Sequence, residues 1–581
     1  MVERKYSKDQ ILEMYLNQVP YGGTAWGIEE ASQLYFGKHA SKLTLPQAAL
    51  LAGLPQAPSL YSPYVNPQGA YSRQHEVLKR MLDDHYITPE QYQKAKNTKL
   101  TFNSPGNTIL APHFVFYVKS LLEKEYGERR VQEGGLRVYT TLDFSLQASA
   151  QKILSEELES LKGYDVGNGA VLVTRPSTGE ILAMVGSRNF FDGSFGAFNV
   201  TTALRQPGSS IKPINYAVGI DRKIVTPATM FLDVPTCFMV AGQKAYCPKN
   251  YDGSFHGPVQ LRFALANSYN IPAVKMLALN TVPDFVASAS AVGIKSFQDP
   301  ANYGLSLTLG GGEVRMTEFA EAYSMFPNQG INKSLVAVLK VESRDGEVLY
   351  EYKDKNYVKE VIKKPLGYPD FLYIQGKRGV SKETAFLISH ILLDNFARSA
   401  SFGTSSYLRV PGHEAVSVKT GTTDDLKDNW TVGYTPNYLT LVWVGNNDNT
   451  PMRPGVTSGV TGAAPIWNRV MQYLLKKQPD LWPKKPDSIV GIEVCTISGM
   501  RPSVGGDGAK SCPTRFEYFI RGTEPKEGGN LKQQIPVSKD NDKAAKPEDP
   551  NIEMKEKQVL RDPFSQYCLD CNHEGENFVV Q

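Results

Sequence analysis

The sequence predicts an α+β multidomain protein, and three observations support this prediction. A chain of 581 residues is too long for one compact core, since domains typically hold about 150 residues. Helical patterns with capping signals fill residues 1–105, whereas strand hairpins begin at Gly169. The chain is 41% hydrophobic, 10% aromatic and 21% charged, which is typical of a globular protein rather than a disordered, fibrous or coiled-coil one.

Capping signals define the helices of the N-terminal region. Ser7, followed three residues later by Gln10, forms a capping box ahead of the apolar residues Ile11, Leu12 and Leu16. Proline near a helix start and glycine after a helix end predict three more helices. One ends at Gly37, one runs from Thr44 to Gly53, and one opens at Thr88-Pro89.

Strand signals dominate from Gly134 onward. A strand is expected over 134–141, and an amphipathic helix with Leu146, Ile153 and Leu161 on one side follows it. Two hairpins are predicted, one joining 170–173 to 181–185 and one joining 430–434 to 438–444. Residues 521–560 hold 16 charged side chains in 40 residues and no aromatic side chain, which predicts a disordered linker.

Charge and cysteine content narrow the functional classes. Lys and Arg number 63 against 59 acidic residues, a net charge of +4, which is too mild and unclustered for nucleic-acid binding. The sequence lacks a membrane-length apolar stretch and an N-terminal secretion signal. Six cysteines fall into three local pairs, which suits disulfides in an oxidising compartment, with connectivity left open. An exported protein without an export signal leads us to expect that an N-terminal segment is missing.

Three short motifs can carry chemistry, and two of them occur twice. Ser-x-x-Lys appears at Ser209–Lys212 and at Ser149–Lys152, and the second copy lies inside the predicted amphipathic helix, where both residues should be on the surface. Ser-x-Asn appears at Ser187–Asn189 and at Ser268–Asn270, and Lys-Thr-Gly appears at 419–421. Each motif alone is a weak signal.

The sequence context favours Ser209 as a nucleophile. It follows a Pro-Gly turn and begins a helical segment, where unpaired backbone N–H groups stabilise a developing oxyanion. Lys212 lies one turn later and can accept the hydroxyl proton if it is neutral. Burial and a second cation both lower a lysine pKa, and Lys419 is a candidate for that cation.

The remaining motif residues supply binding groups. Lys419 is expected at the end of a strand over 415–418, and Gly421 allows close approach of a backbone. A strand edge with this cation and the hydroxyls of Thr420 and Thr422 suits an extended peptide with a free carboxylate. Ser268 and Asn270 add a hydroxyl and an amide that can relay protons and orient the substrate.

The order of these motifs resembles that of the penicillin-recognising acyl-serine transferases. The flanking segment 205–213, Arg-Gln-Pro-Gly-Ser-Ser-Ile-Lys-Pro, narrows the resemblance to penicillin-binding transpeptidases. Residues 6–17, 35–38 and 50–58 resemble the C-terminal third of a peptidoglycan glycosyltransferase domain. The pairing is typical of bifunctional class A penicillin-binding proteins, which the chain resembles over most of residues 1–470.

The resemblance implies six segments in the α+β chain. They are an incomplete helical glycosyltransferase remnant (1–105), a linker region (106–165), a large penicillin-binding/β-lactamase-like transpeptidase domain with an antiparallel sheet flanked by helices (166–472), a small C-terminal extension (473–520), the disordered linker (521–560) and a cysteine-containing tail (561–581).

The resemblance also implies acyl transfer. Ser209, deprotonated by Lys212, would attack the carbonyl between the two terminal D-alanines of a stem peptide, and an amine of a neighbouring stem would then attack the acyl-enzyme. The backbone N–H groups of Ser209 and Thr422 would form the oxyanion hole. The implied catalytic residues are Ser209, Lys212, Ser268, Asn270 and Lys419, and the implied substrate-binding residues are Thr420, Gly421 and Thr422.

Glycan polymerisation is not expected of this chain. The family's glycosyltransferase domain begins with a membrane helix, a catalytic glutamate and further motifs, and none of these occurs before the matching segment. Glu3 and Glu13 belong to the later helical segment and cannot inherit the catalytic role. No cofactor is expected for the transpeptidase, and a divalent metal only for an intact glycosyltransferase domain.

The implied partners are peptidoglycan stem peptides, β-lactams and the cell-wall synthesis machinery, without nucleic acid. Membrane contact is expected only through the missing N-terminus, which would place the full-length protein at the extracytoplasmic face of the bacterial cytoplasmic membrane. Two alternatives remain: a D,D-carboxypeptidase or β-lactamase on the same scaffold, and a non-catalytic penicillin-binding or scaffold fragment. Cys568-x-x-Cys571-x-His573 is half a metal site at most, so a disulfide or free thiols are favoured.

Overall fold

The chain forms two compact units in the computed structural model. The structure describes residues 2–22, 25–58, 60–64, 66–103, 109–193, 195–239, 244–453, 460–505, 509–528, 531–546 and 549–573. The first unit is Met1–Leu110 and the second is Ala111–Gln581. No helix among the described residues is both long enough and apolar enough to span a membrane.

The first unit is helical, and its helices begin and end where the capping signals predict. Side-chain capping boxes form at Ser7, Thr44 and Thr88, and Gly37 ends a helix in the left-handed conformation. The elements of this unit are α1 (Lys8–Gln18), β1 (Pro20–Gly22), β2 (Ala25–Trp26), α2 (Ile28–Phe36), α3 (Leu45–Gly53), α4 (Pro67–Asp83) and α5 (Pro89–Lys96).

The core of the first unit packs around two tyrosines. Tyr21 and Tyr35 are buried, and the Tyr35 hydroxyl donates to the Tyr21 carbonyl over 2.9 Å. α1 has no buried residue: Ile11 and Leu16 are partly covered, whereas Leu12 and Tyr15 are exposed. Trp26 is likewise exposed.

The second unit contains the remaining helices and strands. Its helices are α6 (Pro112–Tyr126), α7 (Glu128–Glu133), α8 (Phe144–Ser160), α9 (Lys212–Asp221), α10 (Leu261–Ala266), α11 (Asn270–Asn280), α12 (Val282–Ala291), α13 (Met316–Ser324), α14 (Lys382–Leu393), α15 (Ser399–Phe402) and α16 (Ala463–Leu475). Its strands are β3 (Arg137–Thr140), β4 (Asn168–Thr174), β5 (Ile181–Val185), β6 (Leu204–Arg205), β7 (Met230–Asp233), β8 (Gly257–Gln260), β9 (Val314–Arg315), β10 (Ile331–Asn332), β11 (Val338–Glu342), β12 (Val348–Glu351), β13 (Lys377–Arg378), β14 (Ser417–Thr422), β15 (Asp428–Tyr434), β16 (Leu439–Gly445), β17 (Ile489–Cys495), β18 (Thr514–Ile520), β19 (Lys532–Ser538), β20 (Ile552–Asp562) and β21 (Ser565–Cys568).

A five-stranded antiparallel sheet organises the second unit. Its order is β14-β15-β16-β4-β5, and both predicted hairpins, β4-β5 and β15-β16, belong to it. Successive residues of a strand face opposite sides, so Val171 packs with α8 and α16 while Leu172 packs with α6, α9 and α13. Both faces are covered by helices, which confirms the predicted α+β architecture.

The expected linker over 106–165 does not form a separate segment. Phe114 and Val118 of α6 join the main core, and Leu146 and Leu154 of α8 pack beneath the central sheet. The two units divide at Leu110, close to the predicted end of the helical remnant at 105, and residues 111–165 belong to the second unit. The helix and strand predicted here are present as α8 and β3. The apolar side of α8 is buried against the central sheet, and β3 pairs with β11 in a separate sheet, which a local pattern cannot show.

The prediction of a disordered linker over 521–560 is wrong, because two strands form there. β19 and β20 pair over seven residues, and β20 continues into a pairing with β21. Val537 and Val559 are buried beside Cys568 and Cys571. Many of the charged side chains pair across the outer surface, as Lys532 does with Glu556. The cysteines that complete this small core lie outside the charge-rich segment, so its composition alone does not reveal them.

The six cysteines form three local disulfides. They join Cys237 to Cys247, Cys495 to Cys512 and Cys568 to Cys571. The disulfide between Cys568 and Cys571 removes both thiols of the half metal site, and His573 stacks on Tyr567.

A buried ion pair ties the three-stranded sheet β19-β20-β21 to the rest of the second unit. Lys275 Nζ of α11 lies 2.7 Å from Asp562 Oδ2 of β20, and both side chains are fully buried. The same carboxylate accepts from the backbone N–H of Leu232 in β7 over 2.8 Å. Removing one partner of a buried pair leaves an uncompensated charge, which costs about 3–5 kcal/mol.

We therefore expect Lys275→Met to increase hydrogen exchange across β19, β20 and β21. The matched control is Lys532→Met, which removes an exposed pair with Glu556 on the same sheet and should change exchange little. Hydrogen–deuterium exchange with mass spectrometry measures both variants. Equal protection in Lys275→Met and the wild type would contradict the anchoring role of the buried pair.

Candidate active site

Ser209 lies in a tight turn that leads directly into a helix. The segment Gly208–Ile211 is a 3-10 turn, and α9 begins at Lys212. Gly208 has φ +55°, and a Cβ placed there would lie 2.7 Å from the backbone of Thr422. Only glycine allows this backbone approach without displacement. The turn therefore holds Ser209 against the strand that carries the Lys-Thr-Gly motif.

Lys419 lies in the interior of β14. The prediction that Lys419 is at the end of a strand over 415–418 is therefore wrong. β14 spans Ser417–Thr422 because Gly421, having no side chain, passes beside the carbonyl of Pro207 and the backbone of Ser210. β14 is the edge strand of the central sheet. The Ser209 turn packs against the face of β14 at Gly421, and among the described residues no strand pairs with the second edge of β14, which leaves an edge beside the serine.

The ammonium group of Lys212 is held by a single short segment. Nζ donates to Asn270 Oδ1 over 2.7 Å, to the Ser268 carbonyl over 2.6 Å and to the Tyr269 carbonyl over 3.2 Å. A longer contact of 3.5 Å reaches Ser268 Oγ. The segment 268–270 therefore determines the position of the Lys212 amine.

Lys419 approaches the same segment from β14. Its Nζ donates to Ser268 Oγ over 2.8 Å and to its neighbour's carbonyl, Thr420 O, over 2.9 Å. Ser268 thus lies between the two lysines. Lys212 is fully buried and Lys419 is 3% exposed, so both charged forms are poorly solvated.

Burial lowers the pKa of both lysines. Desolvation holds the pKa of Lys212 well below its usual range, and the charge of Lys419 lowers it further. The pKa of Lys419 falls to about 7, first through burial and then through the nearby Arg398 guanidinium. The arrangement therefore favours one neutral amine beside one that is cationic below pH 7.

Ser268 has an unusual backbone conformation. Its φ of +64° lies in the left-handed region, which non-glycine residues rarely occupy outside sites where the surroundings impose it. Asn270 begins α11, and its backbone N–H and its side-chain amide both donate to the segment 249–250. Contacts from outside therefore hold the segment that positions Lys212.

A cleft of about 480 Å³ opens in front of these groups. Ser209 is half-buried at its wall. The other motif residues that line it are Ser268, Asn270, Thr420 and Thr422, and its further polar lining includes Asp252, His256 and Asp424. Seven of the eight expected site residues thus share one cleft or lie directly behind it, and the eighth, Gly421, makes the close backbone contact in β14.

The second copies of the motifs lie elsewhere. Lys152 is exposed on α8 and approaches Glu156, and Ser149 is partly buried on the same helix. Ser187 donates to the carbonyl of Gly196 over 2.7 Å and is buried away from the cleft. The glycines at 310–312 do not form a phosphate loop, because Gly310 packs against the backbone of Gly208 behind Ser209.

Three residues of the site neighbourhood have no signal in the sequence motifs. Asn250 Oδ1 accepts from the N–H of Asn270 over 2.7 Å, and its amide donates to both oxygens of Asp233. His256 Nδ1 lies 2.6 Å from Asp233 Oδ2. The sequence gives no sign of this pair, since Asp233 lies 23 residues before His256, on β7. Among the described residues, no group of three or more His, Cys, Asp or Glu side chains has a metal-binding arrangement.

Three family models match the chain along its length. The transglycosylase model matches residues 1–82, the penicillin-binding protein transpeptidase domain model matches 169–472, and the model of the C-terminal domain of penicillin-binding protein 1A matches 485–530. The transpeptidase match alone covers slightly more than half of the chain and includes every motif residue of the cleft.

Relatives and a solved structure resemble the chain over most of its length. Penicillin-binding protein 2D of Bacillus subtilis is 33% identical over 90% of this chain and 72% of its own length. Penicillin-binding protein 1A of Aquifex aeolicus is 30% identical over 90% of this chain and 78% of its own length. The crystal structure of penicillin-binding protein 1A from Haemophilus influenzae is 25% identical, with a TM-score of 0.67 over 90% of this chain and 92% of that one.

The close approach at Gly208 generates a stability prediction. Gly208→Ala adds a Cβ 2.7 Å from the Thr422 backbone at a positive φ. Gly412→Ala is the matched control, because Gly412 also has a positive φ (+80°) but no heavy atom lies within 4 Å of its added Cβ. Both variants carry the left-handed backbone penalty of about 1–2 kcal/mol, and only the first adds a clash. Chemical denaturation should show a larger loss of stability for Gly208→Ala, and equal losses would contradict the tight contact.

Proposed function

Since this chain belongs to the class A penicillin-binding proteins and carries their penicillin-binding transpeptidase domain, we propose that it is a serine-type D,D-transpeptidase. It cross-links peptidoglycan stem peptides through an acyl-serine intermediate on Ser209, and β-lactams acylate the same serine. The proposal covers the assignment of the nucleophile, the base and the substrate-binding groups.

One observation carries the proposal. Lys212 and Lys419, both buried, meet at Ser268 directly behind the cleft that Ser209 lines. Desolvation disfavours two ammonium charges at this separation, so Lys212, with its strongly lowered pKa, is the neutral amine. A neutral amine one helical turn after a hydroxyl is the arrangement that activates a serine nucleophile.

The reaction proceeds in two acyl transfers. The Lys212 amine, with Ser268 as the connecting hydroxyl, accepts the Ser209 proton while Oγ attacks the carbonyl between the two terminal D-alanines. The C–N bond breaks, the proton passes to the departing amine, and D-alanine leaves. An amine of a second stem peptide then attacks the ester, loses its proton to the same relay and restores the Ser209 hydroxyl.

In this proposal the edge of β14 binds the donor peptide. An extended peptide can add to a free strand edge through backbone hydrogen bonds, and the hydroxyls of Thr420 and Thr422 line the cleft there. The cationic Lys419 favours a terminal carboxylate nearby. The backbone N–H groups of Ser209 and Thr422 are our proposed oxyanion hole, supported by the close contact of the Gly208 turn with Thr422.

The proposed function is tested with a fluorescent penicillin. The wild type should take up one label per chain and hold it, and Ser209→Ala should lose the label almost entirely, because members of a catalytic unit do not contribute additively. Ser149→Ala, which changes the serine of the second Ser-x-x-Lys on α8, is the control and should label normally. Gel fluorescence and intact mass measure the stoichiometry.

Other outcomes distinguish the alternatives. Label that forms and disappears within seconds would indicate hydrolysis by a D,D-carboxypeptidase or β-lactamase. A folded wild type that takes up no label would contradict the catalytic assignment and leave a non-catalytic scaffold. Label retained by Ser209→Ala would refute Ser209 as the nucleophile.

We further propose that these 581 residues do not polymerise glycan strands on their own. The nine Asp and Glu residues of Met1–Leu110 that the structure describes are all exposed, whereas a catalytic acid usually requires an enclosed position that raises its pKa. Incubation with labelled lipid II should yield no polymer above a heat-killed sample. Polymer above that background would refute the proposal.

The proposed function also implies a location outside the cytoplasm. We propose the extracytoplasmic face of the bacterial cytoplasmic membrane, with stem peptides as substrates, β-lactams as inhibitors and the cell-wall synthesis machinery as its context. Three disulfides support an oxidising compartment. The transpeptidase reaction, as written, uses side chains and backbone alone and requires no cofactor.

A further inference from the structure

A buried carboxylate stands behind the segment that positions Lys212. Asp233 ends β7 and is fully buried. Among the described residues, it accepts hydrogen bonds from two residues on the loop before β8: Asn250 reaches Oδ1 over 2.9 Å and Oδ2 over 2.7 Å, and the His256 N–H reaches Oδ2 over 3.1 Å. Neither acyl transfer of the proposed reaction uses this carboxylate.

Two paths lead from Asp233 to the segment 268–270. In the first, Asn250 donates to Asp233 through its amide nitrogen and accepts from the N–H of Asn270 through its amide oxygen over 2.7 Å. This carboxylate therefore fixes which end of the Asn250 amide faces Asn270. Asn270 Oδ1 in turn accepts from Lys212 over 2.7 Å.

The second path runs through His256. Its Nδ1 lies 2.6 Å from Asp233 Oδ2, and its ring stacks on Tyr269 with 4.0 Å between centroids and 15° between planes. Tyr269 carries one of the carbonyls that accept from Lys212. Both paths thus end on residues that hold the Lys212 amine.

The segment needs such support because its backbone is strained. Ser268 occupies the left-handed region at φ +64°, a conformation that persists only where surrounding contacts impose it. Asn250 and His256 bond directly to the Asp233 carboxylate, and Asn270 is linked to it through Asn250. Both carboxylate oxygens are available to accept these bonds when Asp233 is ionised.

We infer that Asp233 is a positioning residue of the transpeptidase, which holds Ser268–Asn270 through Asn250 and His256 so that Lys212 is aligned for proton transfer. The inference deepens the proposed function and rests on it. Asp233 does not touch the reacting atoms, so it acts only through these neighbours and through its charge.

The charge of Asp233 gives this role a distinct signature. The charged groups that act on Lys212 are Lys419 of β14, which lowers its pKa, and Asp424 and Asp233, which raise it. Since only the neutral amine accepts the serine proton, acylation rises with pH through the Lys212 pKa. Removing the Asp233 charge lowers the Lys212 pKa further, so the acylation rate should rise at lower pH.

The test measures the second-order rate constant of penicillin acylation against pH for the wild type and Asp233→Asn. Displacement of the Lys212 amine should reduce the rate constant at the high-pH plateau about 10- to 100-fold. The rise of the rate constant with pH should occur at lower pH than in the wild type. A loss of stability alone would reduce the amount of active protein without changing the pH at which the rate constant rises. Thermal unfolding and active-site titration define the folded fraction for each variant.

Asp354→Asn is the matched control. The Asp354 side chain is also buried beside polar partners, with Lys333 Nζ at 2.9 Å and the Tyr352 hydroxyl at 2.9 Å, but it does not line the cleft. It should lose comparable stability and keep the wild-type pH profile. The same rate and profile in Asp233→Asn and Asp354→Asn would overturn the inference.

Asn250→Ala tests the connection if Asp233→Asn does not fold. It removes the link between the carboxylate and Asn270, so its plateau rate should also fall, and wild-type acylation in this variant would overturn the inference. When both variants fold, the double variant should be acylated no more slowly than the slower single variant, because Asp233→Asn already breaks the path through Asn250. A wild type that is not acylated would instead refute the proposed function.

Discussion

The burial of two ammonium groups beside one hydroxyl is the constraint on which the cleft depends. Lys212 and Lys419 are almost completely enclosed, and both donate to Ser268. Two unpaired charges in such a place are expensive, so the site is stable only if one amine is neutral and the remaining N–H groups find acceptors. The segment 268–270 supplies those acceptors, at the price of a left-handed backbone at Ser268. The same electrostatic conflict lowers the pKa of Lys212, as its proposed role as a base requires.

A second constraint is the contact of backbone with backbone around Ser209. Gly208, Gly310 and Gly421 come from three separate elements, and an added Cβ at each would meet the main chain of another element. Packing of this kind fixes a turn more rigidly than side-chain contacts do, because neither partner can rotate away. Among the described residues no strand pairs with the second edge of β14, and the Ser209 turn packs beside that strand at Gly421 and Thr422. One set of contacts therefore positions both the Ser209 turn and this strand edge.

The sequence predicts those features that depend on residues close together in the chain. The capping box at Ser7 forms as predicted, and helices begin after Thr44 and Thr88 as the prolines there predict, since each signal uses residues within about one helical turn. The motif residues of the cleft are recognisable because their spacing reflects one helix turn or one strand. Asp233 and His256 escaped detection because their relation exists only after β7 pairs with β8. The charge-rich strands β19 and β20 were missed for a similar reason, since their core includes residues outside the segment, among them Cys568 and Leu232 on a different sheet.

The position of β7 separates the role of Asp233 in the site from its role in folding. The strand is held by its pairing with β8 and, at Leu232, by two bonds that do not involve Asp233: the N–H donates to Asp562, and the carbonyl accepts from Lys275. Lys275 belongs to α11, the helix that begins at Asn270. Strand and helix therefore stay joined when the Asp233 charge is removed, and what is lost is the link from the strand to the first residue of that helix. A change confined to that link alters the direction of the Lys212 amine more than the stability of the fold.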